Sequence, residues 1–296
     1  MASFRISSHG RLQDWIAAEK GYFDDEGLDY ELDVVRLERA SYEDADAADR
    51  PRGDVRVGAY ELYKAGGAPG KRDMSCACHW AVNQAAVDQH GRMWGHAYSV
   101  LPCGIYVRPE SEVRRPADLA GVEVGVGYHS GSHFSAIQAL EAVVAPDDVA
   151  LRFIGQPYDR VDALLSGDVP AANVWGAATY VVEQQGCRKV LDSTFMAGFL
   201  FDANIDPQDV QRYFNGLKRA QMDLDFEPER YKHYYLREIP ERFHGLIDVA
   251  GFGTGERVVF LPYTEEMYER SQRWMQEHRL FEERAEAPSF ASVVQV

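Results

Sequence analysis

The feature that most constrains this chain is a strand–loop–helix junction between residues 122 and 144. Val122, Val124 and Val126 alternate with other residues as in a buried strand, and residues 127–132 supply a polar turn rich in glycine and serine. Apolar residues then recur at helical spacing. The first amides of a helix lack internal partners and lie at the positive end of its dipole, so such a junction attracts anions. The sequence therefore predicts a site for a small carboxylate, sulfonate or phosphate.

Strands and helices alternate elsewhere in the chain as well. Residues 4–34 predict strand, helix and strand, and residues 151–175 repeat this order with a helix at 158–166 closed by Gly167. This alternation predicts a largely parallel sheet with helices on its faces. Ligands of such sheets collect at the carboxyl ends of the strands. Four segments are therefore candidate cleft positions: Ser8–Gly10, Gly58–Tyr60, Tyr128–Ser132 and Asn173–Trp175.

The remaining segments give weaker signals. Residues 39–52 are polar and predict a loop or a poor helix, whereas residues 53–58 predict another strand. From Pro207 onward the sequence predicts long helices packed around the α/β part. A chain of 296 residues exceeds a typical single core, so we expect two lobes, with one large domain as the alternative.

The charge balance argues against polyanionic partners. Lys and Arg number 31 against 47 Asp and Glu, which gives a formal net charge of −16. Such a surface repels nucleic acid and anionic lipid, so we expect no nucleic-acid partner and a strictly local anion site. No stretch approaches the roughly 20 apolar residues of a membrane span, and we expect no membrane insertion.

The amino terminus and the cysteines bear on the compartment. Residues 1–7 contain neither a basic leader nor an apolar run, which favours the cytoplasm. A periplasmic or lipid-anchored location would require a leader that has been removed. The four cysteines lack the dense spacing of a disulfide framework, so we expect reduced thiols.

Three segments together carry a resemblance to a known family. They are residues 15–32, residues 115–126 with the serine–glycine loop that follows, and residues 163–169 leading to Trp175. These segments resemble the type II periplasmic-binding-protein fold, specifically the branch that binds sulfonates, taurine, nitrate and thiamine precursors. The resemblance implies an α/β, two-lobed fold with an interdomain cleft.

The resemblance also implies how the lobes divide the chain and where the ligand lies. Lobe 1 would comprise residues 1–102 and 196–296, lobe 2 would comprise residues 103–195, and the ligand would lie between them. The loop at 128–133 matches the anion-holding helix start of the family. Together with the cleft positions above, this gives the predicted ligand-binding residues Ser8, Gly10, Gly58, Tyr60, Glu61, Tyr128, Ser130, Gly131, Ser132, His133 and Trp175.

Two histidines are predicted to be catalytic, because a histidine titrates near neutrality and can transfer a proton beside a bound anion. They are His9, after the first strand, and His129, in the loop. The alternative is that each only hydrogen-bonds the ligand or caps the turn. Likewise, Glu61 either takes a proton or begins a helix, and Trp175 either stacks on a flat ligand or packs in the core.

The sequence requires no cofactor, but it contains one candidate metal site. Cys76, Cys78 and His79 could offer thiolate and imidazole ligands to zinc or iron, with His90 or His96 completing the set. On a strand, however, Cys76 and Cys78 share one face while the next residue points to the other. Buried, unreactive cysteines are the alternative.

The same fold hosts cytoplasmic enzymes, among them dihydroxyphthalate decarboxylase, aromatic sulfinate desulfinase, chorismate-derived dehydratases and the thiamine-pyrimidine synthase. The desulfinase needs a cysteine near the first strand, where this chain has His9, and the synthase carries a longer cysteine cluster than Cys76-Ala-Cys78. Neither activity transfers residue by residue. Serine-hydrolase elbows, phosphate loops and dinucleotide fingerprints are missing from the sequence.

Two hypotheses about function follow. The first is an enzyme that binds a small anionic carboxylate or sulfonate, with an aromatic body as one option, and performs lyase-type, decarboxylase-like chemistry. The alternative is a non-catalytic solute-binding protein of an ABC transporter, or a ligand sensor. An ABC permease is a partner only under this alternative.

Overall fold

Two β-sheets flanked by helices form the framework of the protein. The computed structural model describes residues 3–35, 37, 55–56, 58–64, 73–282 and 288–295. The predicted loop at 39–52 lies outside the described residues, and so do residues 53, 54 and 57 of the predicted strand at 53–58; residues 55, 56 and 58 are described and are not in a strand.

In chain order, the strands are β1 (Phe4–Ser7), β2 (Tyr30–Asp33), β3 (Met74–Cys78), β4 (Arg92–Trp94), β5 (Tyr98–Leu101), β6 (Cys103–Val107), β7 (Glu123–Val126), β8 (Ala150–Phe153), β9 (Ala171–Trp175), β10 (Arg188–Asp192), β11 (Phe195–Phe201), β12 (Arg257–Val259) and β13 (Val294–Gln295). The α-helices are α1 (Leu12–Glu19), α2 (Tyr22–Asp25), α3 (Ala59–Lys64), α4 (His79–Val87), α5 (Gly131–Glu141), α6 (Pro157–Ser166), α7 (Ala177–Gln184), α8 (Pro207–Phe226), α9 (Tyr235–Glu238), α10 (Glu265–Glu277) and α11 (Phe290–Val293). Short 3-10 helices lie at Pro116–Leu119, Pro146–Asp148, Pro228–Arg230, Lys232–Tyr234, Glu241–Leu246 and Val249–Gly251.

The first sheet has the strand order β12-β5-β11-β3-β1-β2, and β4 joins it by pairing with β11 and β13. The second sheet has the order β10-β6-β9-β7-β8. The first draws its strands from residues 4–101 and 195–295, and the second from residues 103–192. The resemblance implies lobe boundaries at 102/103 and 195/196. That the two lobes are separate structural units stays a prediction.

The expectation of a largely parallel arrangement is only partly right. Strands β2, β1 and β3 are parallel, as are β8, β7 and β9, but β11, β5 and β12 in one sheet and β6 and β10 in the other are antiparallel to their neighbours. The chain passes between the sheets here: β5 runs into β6 through Pro102, and β10 runs into β11 through Ser193 and Thr194. Both direct connections join strands of different sheets.

Local sequence determines where helix α6 begins and ends, and this helix carries a side chain of the candidate site. Pro157 occupies its first turn, where a missing N–H costs nothing, and Gly167 ends it with a left-handed φ of +83°. Val161 and Leu164 are fully buried on the face that packs against β9. The predicted helix at 158–166 is therefore confirmed, and so is the predicted junction of β7 and α5.

The region after Pro207 is mainly helical, as predicted, but it also contributes strands. Helix α8 packs against α1 and α2, and Gly216 allows the close approach of the Phe23 ring. Strand β12 pairs antiparallel with β5, and β13 pairs parallel with β4. The carboxyl-terminal third is thus part of the first sheet. Among the described residues, no helix combines the length and the apolar character that crossing a bilayer would demand.

Candidate functional site

A cavity of 220 Å³ lies between the two sheets. Its polar wall comes from β3, from the segments that follow β1 and β7, and from the end of β9. A cleft of this kind accommodates a small organic molecule. Much of the remaining wall is apolar, with contributions from Val35, Leu37, Leu62, Leu101, Phe195 and Leu200. The cavity therefore suits a ligand that combines an apolar body with a polar head.

The loop after β7 is closed by its own hydroxyl groups. Ser130 Oγ donates to the Gly127 carbonyl at 2.7 Å, and the Gly127 N–H donates to Ser132 Oγ at 2.9 Å. A Cβ atom at residue 127 would lie 2.9 Å from Ser130 Oγ and 3.0 Å from Arg160 Nη1, so this approach favours glycine. Ser130 and Gly131 line the cavity, which places the first turn of α5 at its wall.

Arg160, on α6, is the charged group beside this loop and also lines the cavity. Its Nε donates to the Asn173 carbonyl at 2.9 Å, and its Nη1 donates to the Gly155 carbonyl. Its Nη2 is buried and has no hydrogen-bond partner among the described residues. Burial lowers the pKa of Arg160 to about 10, which leaves the guanidinium charged at neutral pH. An anion in the cavity would supply the acceptor that Nη2 lacks.

A second polar cluster joins β1, β3 and the segment before β12. His9 Nδ1 lies 3.0 Å from Glu256 Oε2, and Cys76 Sγ lies 3.7 Å from Glu256 Oε1. Arg11 Nη1 donates to Glu256 Oε1 at 3.2 Å, and Ser99 Oγ donates to the same oxygen. His9 and Cys76 line the cavity, whereas Glu256 is buried behind them.

The His9–Glu256 pair is charged at neutral pH. Burial alone would lower the pKa of His9, but Cys76 and Glu256 outweigh it and raise the pKa to about 10. Burial alone would raise the pKa of Glu256, but Arg11 and His9 lower it to about 2. His9 can therefore donate a hydrogen bond or a proton, but as a cation it cannot act as a general base.

Trp175 and His9 approach each other across the cavity. Their rings stack with centroids 5.1 Å apart and planes inclined by 20°, and both residues line the cavity. The protonated imidazole gains from the electron-rich face of the indole. This contact fixes the orientation of the His9 ring and joins the two sheets at the ligand site.

The other loop histidines lie behind the cavity wall. His129 Nδ1 lies 2.8 Å from Glu61 Oε1, and the ring of His129 stacks on Tyr128 with centroids 3.8 Å apart. His129 also has a left-handed φ of +44°, which is uncommon for a residue with a Cβ atom. Burial lowers the pKa of His129, and burial together with His129 lowers the pKa of His133 to about 3. These residues hold the loop that presents Ser130.

We therefore expect His129→Ala to weaken anion binding about fivefold, since one hydrogen bond that anchors the loop is lost and such bonds contribute about 1 kcal/mol. The dissociation constant of the tightest-binding sulfonate, measured by calorimetry, checks this. His233→Ala, at an exposed site remote from the cavity, is the control and should bind as the unmodified protein does. Equal affinity in all three proteins would remove His129 from any role in binding.

The structure does not assemble Cys76, Cys78 and His79 as one ligand set. Strand β3 ends at Cys78 and helix α4 begins at His79, whose Nδ1 lies 2.8 Å from the Met196 carbonyl. Burial raises the pKa of the Cys78 thiol to about 12 and lowers the pKa of His79 to about 4. Among the described residues, one group offers three metal-ligating atoms within 4.8 Å of one another, and it comprises His9, Cys76 and Glu256.

The predicted site residues thus divide into two groups, and their roles stay predictions. Those that line the cavity are Ser8, His9, Gly58, Cys76, Cys78, Ser130, Gly131 and Trp175, whereas the metal candidate His79 is not among the lining residues. Within the described part of the chain, those found outside its wall are Gly10, Tyr60, Glu61, Tyr128, His129, Ser132 and His133. Gly10 and Tyr60, like the loop residues described above, have partners within the protein: the Gly10 N–H donates to Glu238 Oε2 at 2.6 Å, and Tyr60 OH donates to Asp88 Oδ2 at 2.5 Å.

Two residues of the site were not predicted from the sequence. Arg160 lies on the buried stripe of α6 with Val161 and Leu164, and a charged residue on such a stripe is a signal that could have identified it. Glu256 precedes a strand of three residues and offers no periodic pattern that could have identified it.

Comparisons with known proteins show the fold. No protein-family model matches the chain, and no curated protein matches its sequence. Solved structures do match. The alkanesulfonate-binding protein SsuA from Xanthomonas axonopodis pv. citri, bound to MOPS, has a TM-score of 0.68 and 14 % identity over 100 % of this chain and 98 % of that chain.

Two other solved structures are similar. A mutant of the desulfurization enzyme DSZB in complex with biphenyl-2-sulfinic acid has a TM-score of 0.59 and 17 % identity over 95 % of this chain and 93 % of that chain. A conserved gene product of Candida albicans, described as having the generic periplasmic binding protein fold, has a TM-score of 0.67 and 9 % identity over 100 % of this chain and 96 % of that chain. The protein therefore has the two-lobed α/β periplasmic-binding-protein fold that its sequence resembles.

Proposed function

We propose that this protein binds a small organic anion, a sulfonate or a carboxylate, in the cavity between its sheets and releases it unchanged. One observation carries the proposal: the buried guanidinium of Arg160 lines the cavity with Nη2 unpartnered among the described residues, beside the first turn of α5. A charged donor and a helix amino terminus together favour an anionic head group. The apolar wall favours an alkyl or aryl body.

The similar structures support the same ligand class. SsuA is an alkanesulfonate-binding protein, and the DSZB mutant holds a sulfinic acid. Delivery of the ligand to an ABC permease would place the protein outside the cytoplasmic membrane. Use as an intracellular sensor would leave it in the cytoplasm.

A second candidate function is lyase-type chemistry on the same ligand. It is favoured by the presence of a cysteine and a protonated histidine, Cys76 and His9, at the cavity wall. His9 could protonate a carbon atom from which carbon dioxide or a sulfur oxide departs.

The experiment compares matched ligands. Alkanesulfonates, benzenesulfonate and benzoate are each paired with the corresponding neutral amide, and the midpoint of thermal unfolding is measured. A ligand present at 100 times its dissociation constant stabilises the fold by about 2.7 kcal/mol, or about 5 °C for a chain of this size. We expect shifts of this order for at least one anion and none for its amide.

Mass spectrometry of the recovered ligand then separates the two candidates. An unchanged ligand after prolonged incubation supports the binding function, and loss of carbon dioxide or of a sulfur oxide supports the lyase. Equal stabilisation by an anion and its neutral amide would contradict both, because the head group would then not be recognised by its charge.

A further inference from the structure

We propose that His9, Cys76 and Glu256 form a zinc-binding site in the wall of the cavity. The site goes beyond the proposed anion site, uses different residues, and can be present or absent independently of it. Its first support is convergence: one ligand atom from each of the three residues lies within 4.8 Å of the other two. An imidazole nitrogen, a thiolate and a carboxylate oxygen are all ordinary zinc ligands.

The three ligand atoms lie near the separations of a tetrahedral site. Zinc lies about 2.3 Å from sulfur and about 2.1 Å from nitrogen or oxygen, so two ligand atoms of one tetrahedron are roughly 3.3–3.6 Å apart. His9 Nδ1 lies 3.0 Å from Glu256 Oε2, whereas Cys76 Sγ lies 3.7 Å from the other carboxylate oxygen, Oε1. With one oxygen of Glu256 as the ligand, the three ligand atoms lie within 4.8 Å of one another, so movements of up to about 1 Å bring them to tetrahedral separations.

The surrounding contacts hold the ligands in place before any metal arrives. Arg11 and Ser99 both donate to Glu256 Oε1, and Arg11 is held in turn by Asp14, whose Oδ2 accepts from Arg11 Nε at 2.6 Å. Trp175 fixes the ring of His9. Cys76 lies on β3, which pairs with β1 on one side and with β11 on the other. Such outer contacts orient ligands and are a regular feature of metal sites.

Three protein ligands leave the fourth zinc position open. His9 and Cys76 line the cavity, so this position faces the space in which we propose that the organic anion binds. Structural zinc sites are closed by four protein ligands, whereas sites with one open position bind water or substrate there. His9, Cys76 and Glu256 would therefore form a zinc site with one open coordination position.

Zinc binding requires deprotonated ligands, so protons must leave. Zinc binds the thiolate form of Cys76 and an unprotonated ring nitrogen of His9, so any protons held by these two atoms go to solvent. Glu256 is already ionised. The apparent affinity for zinc should therefore rise with pH, and calorimetry in two buffers of different ionisation enthalpy should report the release of protons.

The experiment uses the full chain, stripped with a chelator and dialysed, and titrated with zinc chloride. We expect one zinc ion per chain, and, with Co²⁺ in its place, the near-ultraviolet charge-transfer band of a thiolate ligand. Cys76→Ser should lower zinc affinity about 100-fold and abolish the band, since the only thiolate is removed. Cys78→Ser, two residues along the same strand, is the matched control and should retain both.

Thermal unfolding of the metal-free variants verifies that each is folded. An absence of stoichiometric zinc binding, an unchanged affinity in Cys76→Ser, or an equal loss in Cys78→Ser would each overturn the proposed set. Arg160→Met separates this proposal from the proposed function, since it should impair anion binding and leave zinc affinity unchanged.

Discussion

Replacement of Arg160 by methionine is expected to weaken the binding of an anionic ligand about 100-fold. Arg160 is the buried cation at the cavity wall whose Nη2 lacks a partner among the described residues, and a hydrogen bond to an ionic group contributes about 1.5–3 kcal/mol. Loss of the charge in a poorly solvated position adds to this. The dissociation constants of one sulfonate and of its neutral sulfonamide, measured by calorimetry, check the prediction.

Two further variants distinguish binding from folding. Methionine also leaves the Gly155 and Asn173 carbonyls without their donor, so its stability must be measured alongside. Arg160→Lys retains the charge but not the planar fork, and it should lose less affinity than the methionine variant. Arg242→Gln, on an exposed arginine paired with Asp162, gives the same change in net charge and should bind normally. A methionine variant that binds the sulfonate as tightly as the unmodified protein would contradict the anion site.

The parts of the fold that could be predicted from the sequence are those set by neighbouring residues. The alternation in β7, the serine–glycine turn and the helical spacing of α5 all lie within one short stretch, so the junction was predicted from local pattern alone. Helix α6 was predicted for the same reason. The antiparallel strands could not be predicted in this way, because their direction depends on where the chain passes between the sheets.

The parts of the site that could not be predicted depend on distant contacts. Cys76-Ala-Cys-His79 suggested a ligand set because those residues adjoin in sequence, yet the change from β3 to α4 turns His79 away toward Met196. Cys76 instead meets Glu256, 180 residues further along the chain. Glu256 reaches that position because β12 pairs with β5, and a three-residue strand carries too little pattern to be predicted.

Glu256→Gln is expected to lower the free energy of unfolding by about 3–5 kcal/mol, which is the usual effect of removing one partner from a buried charged cluster. The carboxylate is fully buried and accepts from Arg11, His9 and Ser99. The amide keeps the shape of the side chain but leaves two buried cations without their common counter-charge. Chemical denaturation of metal-free protein, monitored by circular dichroism, provides the measurement.

The stabilising contribution of the His9–Glu256 pair should also depend on pH. Because the pKa of Glu256 is lowered to about 2 in the folded state, its contribution is present above the unfolded value of about 4.3 and is lost as pH falls below it. Because the pKa of His9 is raised to about 10, its contribution is complete below the unfolded value of about 6.5 and is lost as pH rises from there. Stability from this pair should therefore be greatest between these two unfolded values.

Glu256→Gln removes the dependence on the acid side of that window and weakens the one on the alkaline side, where Cys76 still raises the pKa of His9, so the variant should show a flatter stability profile than the unmodified protein. The adjacent Arg257 pairs with Asp225 at the surface, where both side chains are more than a third exposed, and such pairs contribute about 0–1 kcal/mol. Asp225→Asn is therefore the matched control: Arg257 lowers the pKa of Asp225, but at this exposed pair the effect on the acid side of the profile should be small. A Glu256→Gln variant that is no more destabilised than Asp225→Asn would contradict the prediction. The Glu256 carboxylate would then be dispensable to Arg11 and His9, and the buried cluster would not hold the first sheet together.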